Sequence, residues 1–274
     1  MTYRKIDLVY LWVDGNDPDW QAQKAKWIEI ESGVKSSNSP ARWRDNNEFL
    51  YSVRSVAKFA PWINHIYIIT GFGQVPKWLN INHPKITIVD HSEILPADAL
   101  PTFNSMAIEA GIINIPGLSE YFLLANDDTF FGREIGPDFF VDDRGRIKVW
   151  FGITNCSMLR KDSYTQNIFY CTKLIKSLFG RNFSIMTPCH NIAMYNKIHM
   201  RAFLTNPIAD LHYLKTLRTK FRGLYELQLW AFTLYDIGGL RVSLHRQRSP
   251  KPRNRFVYNF FFVFLGIFPR APMN

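Results

Sequence analysis

The triplet Asn126-Asp127-Asp128 follows directly on the apolar run Tyr121-Phe122-Leu123-Leu124-Ala125. Charge is costly to bury without a partner, so two adjacent acids where a buried strand runs out suggest a site. Carboxylates there commonly hold a divalent cation against phosphate oxygens. On that reading Asp127 and Asp128 ligate Mg2+ or Mn2+, and Asn126 orients a substrate oxygen. Asn and Asp also favour turns and caps; the strand context tips the balance toward the metal.

Four further clusters could serve such a site, each with a plainer reading beside it. Asp14-Gly15-Asn16-Asp17 ends the first apolar run, Ile6–Val13. It could cradle a nucleotide, with Gly15 permitting close backbone approach, or be an ordinary strand-ending turn, and the spacing does not choose. Arg42-Trp43-Arg44-Asp45-Asn46 opens a helix. Free N–H groups there, with Arg42 and Arg44, suit a diphosphate, but a solvated helix start capped by Asp45 explains the same residues slightly better. His190, in Thr187-Pro188-Cys189-His190-Asn191, could exchange a proton near neutral pH; a lone loop histidine is more often simply hydrogen-bonded. Arg222 could neutralise charge on a transferring phosphoryl group; in a basic protein a surface arginine is the commoner case.

These residues need a scaffold, and the apolar pattern supplies one. Strands are expected at Ile6–Val13, Ile66–Thr70, Ile86–Asp90, Tyr121–Ala125 and Ile147–Phe151. Helices are expected at Trp20–Glu31, Asn46–Phe59 and Ser105–Ile113, the last capped by Asn104 or Ser105. Strands alternating with helices imply an α/β fold with a mostly parallel sheet. In such sheets ligands sit beyond the carboxyl ends of the strands, where Asp14, Gly71 and Asn126-Asp127-Asp128 all fall. The second half reads as a helical lobe, with helices at Ser163–Phe179, Met194–Phe203 and Leu224–Tyr235. The expected division is a core over 1–155, a mainly helical lobe over 156–240 and a tail over 241–274.

The 274 residues carry a formal net charge of +10 and are 47% hydrophobic. That excludes a disordered chain and favours a polyanionic partner: nucleic acid, anionic lipid or a phosphorylated substrate. The aromatics sit inside apolar runs instead of alternating with basic residues, which argues against a nucleic-acid platform. Three cysteines, Cys156, Cys171 and Cys189, fit no metal or disulfide pattern and point to a reducing compartment. The N-terminus enters a strand at once and no run is long enough to span a bilayer, so a cytoplasmic protein is expected. The tail has six cations and no acid between Arg241 and Arg255, then the apolar Phe256–Phe268. That favours a segment lying on an anionic membrane surface, on the inner face of the cell membrane. A buried core strand or helix is the other reading.

Together these segments resemble the Stealth family, which includes bacterial capsular-polysaccharide phosphotransferases and the animal N-acetylglucosamine-1-phosphotransferase. Ile6-Asp7-Leu8-Val9-Tyr10-Leu11-Trp12-Val13-Asp14-Gly15-Asn16-Asp17 resembles the first of its four motif regions. The second is the most specific. It runs through Arg42-Trp43-Arg44-Asp45-Asn46-Asn47-Glu48-Phe49, Ala60-Pro61-Trp62-Ile63, Val75-Pro76-Lys77-Trp78-Leu79 and Leu100-Pro101-Thr102-Phe103-Asn104-Ser105 to Asn126-Asp127-Asp128. Pro188-Cys189-His190, and Phe221-Arg222 with Glu226-Leu227-Gln228, resemble the third and fourth less closely. Asp14 stands where many members have Asn, and Glu226 where they often have Asp.

The resemblance implies a nucleotide-diphospho-sugar (GT-A-like) core. It further implies metal-dependent transfer of a hexose 1-phosphate from a UDP-sugar to a hydroxyl of a polysaccharide or lipid-linked glycan, with UMP leaving. It places metal and phosphate binding at Asp127 and Asp128, and catalytic roles at His190 and Arg222. The expected substrate-binding set is Asp14, Gly15, Asp17, Arg42, Arg44, Asp45, Asn46, Thr102, Asn104, Asn126 and Glu226. The rival readings are an ordinary glycosyltransferase releasing UDP and a basic, non-catalytic membrane-peripheral binding protein.

Overall fold

A computed structural model describes residues 4–30, 47–152, 163–180, 187–188 and 191–246. The first elements are β1 (Ile6–Leu11), α1 (Pro18–Ile30), α2 (Glu48–Phe59), β2 (Ile66–Thr70), β3 (Ile86–Asp90), α3 (His91–Ile94), α4 (Ser105–Gly111), β4 (Tyr121–Asn126) and β5 (Ile147–Gly152). There follow α5 (Ser163–Phe179), β6 (Thr187–Pro188), β7 (Ala193–Asn196), α6 (Lys197–Leu204), α7 (Pro207–Arg218), α8 (Leu229–Gly238) and β8 (Val242–Arg246).

The central sheet has the order β3-β2-β1-β4-β7. β1, β2, β3 and β4 run parallel, and β7 joins the edge antiparallel to β4. β1, β2 and β4 are buried and mostly apolar because helices flank the sheet and leave neither face to water. One polar residue interrupts that core with a purpose. Asp7, fully buried in β1, accepts from Asn64 Nδ2 (2.7 Å) and the Ser119 N–H (2.7 Å), tying the entries of β2 and β4 to the central strand. A second sheet, β6-β5-β8, packs beside the first.

The register sets the position of the site. Leu11 lies opposite both Ile69 and Asn126, and Thr70 opposite Asp90. The strands therefore end together, and the segments after β1, β2, β3 and β4 share one edge.

The expected α/β architecture with a mostly parallel sheet is what the chain adopts. Two expected helices differ. Met194–Phe203 is not one helix: β7 takes Ala193–Asn196, and α6 starts after Asn196, whose side chain accepts from the Ile198 and His199 N–H groups. Pairing with β4 outcompetes the start of the helical pattern. The expected Leu224–Tyr235 helix begins only at Leu229, because Tyr225 takes a left-handed φ of 62° and Glu226 turns inward. Asn104, not Ser105, caps α4, accepting from the Met106 N–H. α2 starts at Glu48, after Asn47 in the left-handed region. Cys171 is buried, which pushes its thiol up to about 12. Among the described residues no helix is long and apolar enough to cross a membrane. Cys156, Cys189 and the stretch 247–274 lie outside the described residues.

Candidate active site

A cavity of about 550 Å³ opens at the carboxyl edge of the central sheet. Trp12 and Val13 after β1, Gly71 after β2, His91 after β3, Asn126 at the end of β4 and Asp127 and Asp128 after it line it. Opposite stand Ser105 and Glu109 of α4, Arg222, and Trp230 of α8. Lys148 and Trp150 of β5 close one side, and Met194 and Tyr195 of β7 another. Asn191, next to His190 in the chain, also reaches it.

The acidic triplet keeps both of its sequence readings at once. It is a turn, since the Thr129 N–H and Oγ1 both donate to the Asn126 carbonyl (3.1 and 2.7 Å). It is also cavity wall. Nearby, Tyr10 is buried and bonded to Ser52 Oγ (2.7 Å); burial pushes its phenol well up, and the charge of Asp127 adds to the shift. Two carboxylates on one cavity wall fit a divalent cation that takes its other ligands from phosphate oxygens and water, as Mg2+ does. No group of three or more His, Cys, Asp or Glu suited to a metal occurs among the described residues, so such a cation would lean on its substrate.

Arg222 reaches this cavity through a chain of contacts from distant segments. The Phe103 N–H donates to the Lys220 carbonyl (2.8 Å), which lays the 220–222 strip beside the start of α4. Lys220 Nζ donates to the Asp98 and Leu100 carbonyls (3.2 and 3.1 Å). Arg222 Nη2 then donates to Ser105 Oγ. Behind it, Asn167 of α5 donates from Nδ2 to the Gly223 carbonyl (2.9 Å) and accepts from the Tyr225 N–H (2.7 Å).

Glu109 completes this group, and the sequence reading missed it. Burial pushes its carboxyl up to about 7; the Arg222 charge, the Leu229 N–H and Ser105 pull the other way. A carboxyl that titrates near neutrality in a cavity is suited to proton transfer. His91 was also missed. Burial pushes its imidazole down to about 4, so it faces the cavity as a neutral ring.

The remaining expected residues divide. Asp14 Oδ1 accepts from the Asn16 N–H (2.9 Å), and the Asp14 backbone is clasped by Gln74. Gly15 accepts at its carbonyl from Gln21 Nε2 (2.8 Å). Asp17 caps α1: its Oδ1 accepts from the Asp19 and Trp20 N–H groups (2.9 and 3.0 Å). The Trp20 N–H above all, then Gln74, holds that exposed carboxyl below its ordinary range. Thr102 lines the cavity. Asn104 and Glu226 are fully buried behind the wall, with Asn104 Nδ2 donating to Glu226 Oε2 (3.0 Å) and the Gly223 N–H to Oε1 (2.9 Å). They brace the Arg222 strip. His190, Arg42, Arg44, Asp45 and Asn46 lie outside the described residues.

Comparison with known proteins fits this geometry. Residues 4–31 match Stealth protein CR1, conserved region 1, and residues 42–149 match Stealth protein CR2, conserved region 2. The chain is 50% identical over 139 residues to an exopolysaccharide phosphotransferase, cps2G, of Lactiplantibacillus plantarum, covering 50% of this chain and 40% of that protein. It is 48% identical over 141 residues to the receptor polysaccharide phosphotransferase WefC of Streptococcus oralis, covering 51% and 42%. It is 36% identical over 188 residues to the capsular polysaccharide phosphotransferase fcs1 of Haemophilus influenzae, covering 67% and 51%. The matches span about half or less of the length of these relatives. With both regions present and in order, the chain belongs to the Stealth family.

Proposed function

We propose that this chain carries the catalytic core of a sugar-phosphate transferase of polysaccharide synthesis. It would move a hexose 1-phosphate, with an N-acetylhexosamine 1-phosphate as the favoured case, from a UDP-sugar to a glycan hydroxyl. The observation that carries this reading is the meeting of Asp127 and Asp128 with Arg222 and Glu109 around one cavity at the carboxyl edge of a mostly parallel sheet. The names of the relatives, all polysaccharide phosphotransferases, support the same reaction class. The strand arrangement supports a GT-A-like nucleotide-sugar core.

In this reading the acceptor oxygen attacks the sugar-bearing β-phosphorus in line with the bridging oxygen. The new O–P bond forms, the bridging P–O bond breaks, and UMP leaves with the electron pair. Glu109 takes the hydroxyl proton, and Arg222, oriented by Ser105, stabilises charge on the transferring phosphoryl group. Asp127 and Asp128 would hold Mg2+ or Mn2+, which neutralises the diphosphate when bound. His190 is assigned to the phosphate. Asp14 and Asn46 are assigned to the nucleotide sugar, with Arg44 assisting at the diphosphate. The acceptor is a polysaccharide or lipid-linked glycan, met at an anionic membrane surface through the basic tail.

Incubation with a panel of UDP-sugars, Mg2+ or Mn2+ and a glycan acceptor tests the reading. UMP as the nucleotide product supports it. UDP as the product indicates glycosyl transfer and overturns it.

A further inference from the structure

The loop between β2 and β3 carries a residue that packing alone does not explain. Phe72 has a φ of 60°, a conformation that disfavours any side chain, between Gly71 and Gly73 (φ 69°). The residue is 41% exposed. A bulky residue held in the left-handed region stores backbone strain and points to a functional constraint when its surroundings fix it there. The surroundings do fix it. The Gln74 N–H donates to the Gly71 carbonyl (3.1 Å), and the Gln74 side chain clasps Asp14 through both the Asp14 N–H (3.0 Å) and carbonyl (3.1 Å). The Gly73 N–H bonds to Asp90 at the end of β3.

The ring itself continues a stack. Phe72 lies on Phe103 (centroids 5.7 Å, 25°), and Phe103 lies on Phe221 (5.1 Å, 9°). Phe103 lines the cavity, as does Gly71, the neighbour of Phe72. Phe221 immediately precedes Arg222. A column of rings thus runs from the strip that carries Arg222 to an exposed ring next to two cavity-lining residues, Gly71 and Phe103. Phe103 covers part of that ring, and much of the rest is open.

We propose that Phe72 is the stacking platform for the nucleobase of the donor. This rests on the nucleotide-sugar reading above and names the part of the protein that would hold the base. Asp127 and Asp128 follow β4, and Phe72 follows β2, two strand spacings or about 10 Å away in the sheet. A base bound on Phe72 is therefore set apart from its phosphates by the width of β1, with Asp14 between them on the β1 loop. Stacking uses the π-face that every base has. Phe72 supplies affinity, and it leaves the choice among bases to other groups.

Binding to the full chain in Mg2+, with UMP as one probe and inorganic pyrophosphate as the other, tests this. Phe72→Ala should raise the Kd of UMP about tenfold and leave that of pyrophosphate unchanged. Phe72→Trp should restore UMP affinity. Phe72→Gly removes the ring and relieves the backbone together, so UMP affinity should fall while the melting temperature holds or rises. UMP binding undiminished in Phe72→Ala overturns the platform and leaves the nucleotide-donor reading standing. Equal weakening of UMP and pyrophosphate also overturns it, since that is general damage to the loop. A wild-type chain that binds pyrophosphate and no nucleotide overturns both.

Discussion

Asn104 and Glu226 stand 122 residues apart in sequence and meet fully buried, Nδ2 to Oε2 at 3.0 Å. This bond locks the start of α4, which carries Ser105 and Glu109, to the strip that carries Arg222. Burial raises the Glu226 carboxyl above its ordinary range, and the donors from Asn104, Thr219 and Gly223 oppose that shift. Asn104→Ala removes one of those donors and uncaps α4. We expect a loss of about 2–3 kcal/mol in urea unfolding, from an unsatisfied buried acceptor together with a lost cap. UMP release should fall as well, because Ser105 and Arg222 lose their common support. Unfolding at wild-type urea concentrations would remove the brace from the account.

Much of the scaffold was legible in the sequence because parallel strands buried on both faces are continuous apolar runs. β1, β2 and β4 fell where those runs predicted, and the half-exposed edge strand β3 fell at its own short β-branched stretch, Ile86-Thr87-Ile88-Val89. β7 did not. At four residues it is too short to show a period of its own, and its identity comes from pairing with β4, where Tyr121 lies opposite Asn196 and Leu124 opposite Ala193. Its one local signal was Asn196, a good cap for the helix that follows. Glu109 was invisible for a related reason. A single acid in Ser105-Met106-Ala107-Ile108-Glu109-Ala110-Gly111 reads as the solvent side of a helix. Its proton affinity depends on burial and on Arg222, more than a hundred residues away. The triplet was legible because a strand end and two acids are adjacent in the chain.

Asp128→Ala separates chemistry from folding. Asp128 is exposed, so its loss should change stability by under about 0.5 kcal/mol. If it holds the cation, UMP release should drop about a thousandfold or more, since a metal supplies several kcal/mol of charge stabilisation. Calorimetric titration with Mn2+ in the presence of UMP should show weakened metal binding in Asp127→Ala and Asp128→Ala. Unchanged turnover in both variants would sink the metal assignment.

Glu109→Gln keeps the shape of the side chain and removes its capacity to take a proton. We expect kcat to fall about 100- to 10,000-fold. In the wild type the carboxylate is the active form, so kcat/KM should rise with pH and level off above about 7. That limb should disappear in the variant's residual activity. A limb that persists unchanged belongs to another group, and His190 would be the next to replace.

His91 and Glu109 make stability depend on pH in opposite senses. Burial holds the His91 imidazole near 4 against an ordinary 6.5, so below 6.5 the unfolded chain binds a proton that the folded chain refuses. Stability from this group is present above 6.5 and is lost as pH falls toward 4. Glu109 is the reverse. Its carboxyl sits near 7 against an ordinary 4.5, so the folded chain keeps a proton that the unfolded chain gives up. Its contribution is full below 4.5 and is lost as pH rises through 7. Urea midpoints should therefore show His91→Asn flattening the acid side, between about 4 and 6.5, and Glu109→Gln removing the loss of stability between about 4.5 and 7. Room beside His91 is already tight, because a Cβ at Gly71 would lie 2.7 Å from its Nδ1. Gly71→Ala should push the ring from its place, lowering stability and restoring some of its basicity. An acid limb as steep in Gly71→Ala as in the wild type would show that the ring keeps its burial despite the added methyl group.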